Sequence, residues 1–166
     1  MKNQTTELKI EGVRVQISSK KPYDRLLASL LEDIGESPID LTALDRAHSS
    51  RECYQAAVKE LEGPGGFMLF GLIDHGAWTA EAGASRRSMR VILGNPTLAL
   101  TMLKHDMKAG LFAPVELLLL EKPGNESYLI YVKPSSLMVV ESNEELLSAA
   151  QVLDEKLHAL AVKVTG

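Results

Sequence analysis

At 166 residues the chain suffices for one domain with its own hydrophobic core and is too short for two ordinary ones. Its 45% hydrophobic and 24% charged residues exclude a disordered chain. The net charge of −4 argues against generic binding to nucleic acid or to anionic lipid, both of which need a basic surface.

The lone Cys53 has no partner for an internal disulfide, which fits a reducing compartment. The first six residues are polar, with no apolar signal core and no Arg-rich transit pattern, and no apolar run reaches the length of a membrane span. A cytoplasmic protein is expected.

Residues 8–17 alternate apolar and polar, with Val13, Val15 and Ile17 on one face and Leu8 and Ile10 on the other parity; a bulge at Gly12 would reconcile them. Pro22 opens a helix whose stripe is Leu26, Leu27, Leu30, Leu31 and Ile34, and Gly35 stops it. Residues 36–48 read as a connector. Ser49 and Glu52 have capping-box spacing, so a second helix follows, with Cys53, Tyr54, Ala57, Val58 and Leu61 inward and four residues of Gly and Pro at its end. On such a face Cys53 is a buried, inert thiol.

The apolar run 67–73 predicts a central strand closed by Asp74-His75-Gly76, and 77–88 reads as irregular. Residues 89–93 predict the next strand. Asn95 is a good N-cap and Pro96 a good first residue for a helix with Leu98, Ala99, Met102 and Leu103 inward, ending near Gly110. Strands over 115–120 and 128–132 form a hairpin around the turn chemistry of 121–127. Ser142 and Glu145 again have capping-box spacing ahead of a last helix with Leu146, Leu147, Ala150, Leu153, Leu157, Leu160 and Val164 on one stripe. The order β-α-α-β-β-α-β-β-α has consecutive strands without a helix between them. That favours an α+β fold, a mostly antiparallel sheet with helices packed on it, over a doubly wound parallel sheet.

From Gly66 to Leu137 the order and spacing of motifs are distinctive: Gly66-Phe67-Met68-Leu69-Phe70, Ile73-Asp74-His75, Gly94-Asn95-Pro96, Gly110-Leu111-Phe112-Ala113-Pro114 and Pro134-Ser135-Ser136-Leu137. This stretch resembles domain-of-unknown-function family 302, with Asp74-His75 and Gly94-Asn95-Pro96 as its most recognisable marks. The resemblance implies a single domain over 1–166, with 36–62 an insertion relative to shorter members. It also implies a curved antiparallel sheet with helices on one side, similar to the TATA-binding-protein-like class. It implies no activity, and the likeness of fold does not imply DNA binding.

Ten polar or aromatic positions are candidates for a site. Asp74 and His75 end the most apolar strand, where the imidazole could serve as general base or ligand donor or simply bond a loop. Trp78 could wall a pocket beside them. His105 and Asp106 lie near a helix end, where a cationic imidazole suits the dipole. Two histidines with Asp74, Asp106 or Glu116 could in principle hold a divalent ion, but no metalloenzyme motif is present and no metal is expected. Arg90, with Arg86 and Arg87 upstream, could attract an anion; the simpler reading is a solvated loop. Asn95 is expected mainly to cap its helix. Glu116 sits among apolar strand residues and needs a partner if helices cover its face. Tyr131 and Ser135 follow in the neighbouring strand and its exit; Ser135 lacks a Gly-x-Ser-x-Gly elbow and is expected to bond a turn.

The leading expectation is a binding module for a small apolar or anionic ligand, in a cleft lined by His75, Trp78, Asn95, His105 and Tyr131. The first alternative is an enzyme using His75 with Asp74 or Glu116 as acid and base. The second is a homodimeric interaction protein using its sheet or last helix. No cofactor is identified by any of these.

Overall fold

The computed structural model describes residues 4–47 and 50–166. It is an α+β protein built on one five-stranded antiparallel sheet. The strands are β1 (Arg14–Ser19), β2 (Met68–Asp74), β3 (Ser88–Gly94), β4 (Val115–Lys122) and β5 (Glu126–Val132), in the spatial order β1-β5-β4-β3-β2. The helices are α1 (Tyr23–Ile34), α2 (Leu41–Ala47), α3 (Arg51–Leu61), α4 (His75–Thr79), α5 (Pro96–Leu103), α6 (Ser135–Met138) and α7 (Glu144–Thr165).

Alternation along the strands gives the sheet two unlike faces. Val91, Leu93, Val115, Leu117, Leu119, Leu129 and Tyr131 are buried, and they pack with Leu26, Leu30 and Ile34 of α1 and with Leu146, Ala150, Leu153, Leu157, Leu160 and Val164 of α7. The intervening positions, among them Arg14, Arg90, Ile92, Glu116, Leu118 and Ile130, are half-buried or exposed on the other face. The amphipathic stripe of α7 thus reads through as expected, except that Leu147 faces outward. Gly35 ends α1 with φ 97°, its N–H bonding Leu31 O.

Several sequence expectations are corrected. β1 starts only at Arg14; residues 4–13 are exposed and form no strand, so Gly12 is not a bulge within one. The segment 36–48 contains α2, and the Ile39 N–H bonds Leu69 O on β2. Ser49 lies outside the described residues; the cap of α3 is Ser50, whose hydroxyl accepts from Cys53 N. Only Val58 of that helix is buried, and Cys53 is exposed, because α3 packs against little more than α2 and α5.

β2 is an edge strand, not a central one: Phe67, Met68 and Leu69 enter the core, whereas Leu72 and Ile73 run out into solvent. A register shift between Leu69 and Gly71 interrupts its pairing with β3. The segment 77–88 is not wholly irregular, since α4 and a 3-10 turn over Ala80–Ala82 occupy its start. α5 ends at Leu103, and a separate 3-10 segment, Met107–Phe112, covers the Gly110 region; of its expected inward residues only Met102 is fully buried. The hairpin strands extend further than expected and leave a turn of three residues, with Gly124 and Asn125 both at positive φ. Asn143, not Ser142, caps α7 by accepting from Leu146 N.

A second polar contact fixes the Gly-rich turn after α3. Asp33, at the end of α1 and buried, accepts from Gly65 N at 2.9 Å and pairs with Lys163 Nζ at 2.6 Å. Gly63 passes so close to Asp33 O that a Cβ there would lie 1.5 Å from it, which is why this crossing needs glycine.

Candidate functional site

The candidates at the end of β2 are spent on local structure. Asp74 caps α4, its Oδ1 accepting from Ala77 N at 3.1 Å. The His75 and Trp78 rings meet edge to face at 5.8 Å, and Trp78 is 62% exposed. Gly76 lets α4 lie against the start of β3, where a Cβ would come within 3.1 Å of Ser88 N. Asp74 and His75 therefore differ from the cleft-lining pair expected: they are the cap and first residue of a short helix, and neither His75 nor Trp78 lines any of the four principal clefts among the described residues.

Asn95 lies at the other end of β3, roughly 20 Å from Asp74 by strand rise. Its Oδ1 accepts from Thr97 N and Leu98 N, and its Nδ2 donates to Glu62 Oε2 at 2.7 Å and to Gly66 O at 2.9 Å. His105 sits in a shallow groove between α5 and α7. Asp106 caps the 3-10 segment through Lys108 N and forms an ion pair with Lys108. Tyr131 is on the helix-covered face, where its hydroxyl shares a 3.0 Å hydrogen bond with His158 Nδ1. Burial pushes the Tyr131 phenol pKa up, and the Asp154 carboxylate adds to this. Ser135 bonds a helix in place of the turn expected: its N–H and hydroxyl both donate to Asp154 of α7, and Lys133 lies 3.6 Å from the same carboxylate. Asp154 and His158, four residues apart on α7, were missed because they look like solvent-facing helix positions. The signal was there, since Asp154 interrupts the apolar stripe beside Leu153 and Leu157.

The five residues expected to share a cleft thus stand at four separate places. The acid–base alternative fares no better, since Asp74 is a cap and Glu116 is some three residues along and two strands across from it, about 10 Å in each direction. Among the described residues no three His, Cys, Asp or Glu side chains gather as a metal site.

The arginines are also engaged. Arg86 donates to Glu121 O, and Arg87 clamps Asp24 at 2.7 Å while its guanidinium lies 4.2 Å over the Tyr23 ring. They tether the segment after α4 to α1 and β4, while residues 81–87 stay exposed as a solvated loop does. The hydrogen bond from Arg87 holds the Asp24 carboxyl below its ordinary range. Arg90 and Glu116 find each other on the uncovered sheet face, with Nε to Oε2 at 2.8 Å. Glu116 needs no buried partner because helices do not cover its side.

That uncovered face carries a cleft of about 630 Å³. Its floor is Leu118 and Ile130 with Val132; Leu111, Phe112 and Pro114, ahead of β4, and Pro134 and Leu137, after β5, wall it at one end of the sheet. The floor is apolar because β4 and β5 carry apolar residues on both parities, so the positions not needed for the core remain apolar toward solvent. Three charged groups border it: the mutually neutralised Arg90 and Glu116, and Arg14 of β1, opposite Val132, which makes no ion pair among the described residues. The volume falls in the range of small-molecule sites, and the excess of one guanidinium makes the cleft suited to an apolar body with an anionic group. A smaller apolar cavity of about 260 Å³ lies under α5, but its one polar side chain, Asn95, is occupied by the cap.

The family model described as Domain of unknown function DUF302 matches residues 44–164. The chain belongs to that family. The match begins inside the segment 36–62, so α3 falls within the DUF302 model and β1 and α1 precede it. A solved structure, the crystal structure of an uncharacterized conserved DUF302 protein from Bacillus stearothermophilus, is 16% identical in sequence. It aligns over 91% of this chain and 97% of its own with a TM-score of 0.65, which establishes likeness of fold. No curated protein is significantly similar to the chain. Among the described residues no helix is long and apolar enough to cross a membrane.

Proposed function

We propose that this DUF302 protein is a binding module for a small apolar ligand bearing one anionic group, held in the cleft on the uncovered face of the sheet. The observation that carries the reading is the combination of an apolar floor, Leu118, Ile130 and Val132, with an Arg14 guanidinium that has no counter-ion among the described residues. Burial of the ligand body against the floor supplies affinity, at about 25 cal/mol per Å² of apolar surface removed from water. Arg14 supplies orientation through charge-assisted bonds to the anionic end. Arg90 is held back by Glu116, so the pair contributes polarity without net charge. Nothing at the cleft pairs a base with a nucleophile, which favours binding over catalysis as its use.

The probe for this reading is 8-anilinonaphthalene-1-sulfonate, an apolar anion of suitable size, followed by its fluorescence. Saturable binding is expected. Replacing the charge-assisted contact in Arg14→Gln should weaken it about tenfold, the equivalent of about 1.4 kcal/mol. His75→Ala should leave it unchanged. Absence of saturable binding, or equal binding by Arg14→Gln, would refute the assignment.

A further inference from the structure

The segment ahead of β1 is the part of the chain that the fold leaves unexplained. Residues 4–13 are exposed throughout and form no secondary structure, yet Leu8 and Ile10 are large apolar side chains at 58% and 41% exposure. They stand two apart, the spacing at which extended backbone puts both on one side. Glu7 and Glu11 flank them. The root of this arm is fixed at the rim of the cleft. Val13 N–H bonds Ser136 Oγ at 2.9 Å, and Lys133 N–H bonds Val13 O at 2.8 Å. A Cβ on Gly12 would touch Leu137 and Val132, both of which line the cleft.

We infer that the arm of one copy occupies the cleft of a second copy, making a reciprocally exchanged dimer. The chemistry matches: a short extended segment with two apolar side chains on one side meets an apolar trough. The direction of the chain favours a second copy over the arm's own cleft. Val13 continues the pairing of β1 with β5, none of residues 4–13 lines the arm's own cleft, and Leu8 and Ile10 stand exposed. With four Cα–Cα steps from Gly12 to Leu8, the arm reaches about 14 Å at full extension, and a fold-back would spend much of that on the turn. A partner approaching about a two-fold axis takes the arm straight and returns its own. The inference does not depend on the cleft also taking a small ligand, but the two occupants would compete.

The test is sedimentation velocity of the intact protein, of a variant lacking residues 4–11, and of Leu8→Asp and Ile10→Asp, all at the same concentrations. Both residues are solvent-exposed, so the point variants should fold, which circular dichroism checks. The expected result is a dimer for the intact chain, at least tenfold weaker dimerisation in each point variant, and a monomer for the truncated one. Hydrogen exchange should protect residues 8–10 only in the dimer. A monomeric intact chain overturns the inference, whether its arm is protected, as in a fold-back lid, or unprotected. So does a truncated chain that remains a dimer, which would place the interface elsewhere. The truncated monomer also separates this inference from the ligand reading: its open cleft should bind 8-anilinonaphthalene-1-sulfonate more tightly than the dimer, and no binding by that monomer would reject the ligand reading alone.

Discussion

Replacing Asp33 with alanine should be among the costlier single polar substitutions in this protein. The carboxylate is 2% exposed and makes two bonds of different worth. One accepts from Gly65 N in the turn between α3 and β2, and without it that N–H has no acceptor where solvent access is poor. A lost charge-assisted bond with an orphaned partly buried donor costs about 2 to 3 kcal/mol. The other pairs with Lys163, whose side chain is 60% exposed and rehydrates freely, so this loss adds only about 0 to 1 kcal/mol. The total is about 2 to 4 kcal/mol, or a fall of roughly 1 to 2 M in the urea midpoint at an ordinary slope. Asp33→Asn keeps an oxygen for Gly65 N and should cost about 1 kcal/mol, and Lys163→Met less than about 1 kcal/mol. The order Ala, then Asn, then the Lys163 variant is what equilibrium urea unfolding checks. Equal effects of Asp33→Ala and Lys163→Met would mean that the ion pair, not the turn, carries the stability, and the argument would fail.

Tyr23 provides a test by pH. Burial pushes its phenol up to about 12. Its stabilising contribution is therefore complete below the unfolded value near 10 and is lost as pH rises from there through the folded value. Absorbance at 295 nm should show one of the four tyrosines ionising last, near 12, and at the loss of circular dichroism; titration of all four near pH 10 in a folded chain would contradict this. Asn95→Ala removes the cap of α5 together with two donated bonds, and thermal unfolding should register a loss of about 2 kcal/mol; a shift under about 0.5 kcal/mol would show the cap to be redundant. His75→Ala should cost less than about 1 kcal/mol, since the ring is half-buried and its one ring contact, Trp78, is largely exposed; a loss above about 2 kcal/mol would reveal a buried network at that corner.

The fold was legible where a segment has one period and one neighbour. The stripe of α7 needed no tertiary knowledge. The sequence misled where both parities are apolar. In β4, Leu117 and Leu118 are chemically the same residue, yet one lies in the core and the other floors a cleft open to solvent. Nothing local distinguishes them, because which face receives helices depends on chain connections made elsewhere. The same blindness made β2 look central: its apolar run passes from the core at Phe67 to the open edge at Ile73 without a change of composition. The helix caps were displaced by one residue at both Ser50 and Asn143, because adjacent serines and asparagines satisfy the capping pattern equally well. As for the site, Arg14 received no attention in the sequence, since a charged residue opening an edge strand is ordinary. Its significance comes from Glu116 choosing Arg90 and leaving it alone.

The side chain of Asn95 has four hydrogen-bonding valences directed at four different groups: two N–H groups of the next helix, the carboxylate of Glu62 and the carbonyl of Gly66. An amide offers two donors and an acceptor oxygen with two lone pairs, so its capacity is full. Aspartate would present a charge to Glu62 and lose both donors, glutamine would overreach, and serine would fall short of at least two partners. The motif most easily recognised in this chain is therefore a chemical dead end: any ligand asking Asn95 for a bond would first have to take one away from the fold. Legibility in a sequence and availability for chemistry are, at this residue, opposed properties.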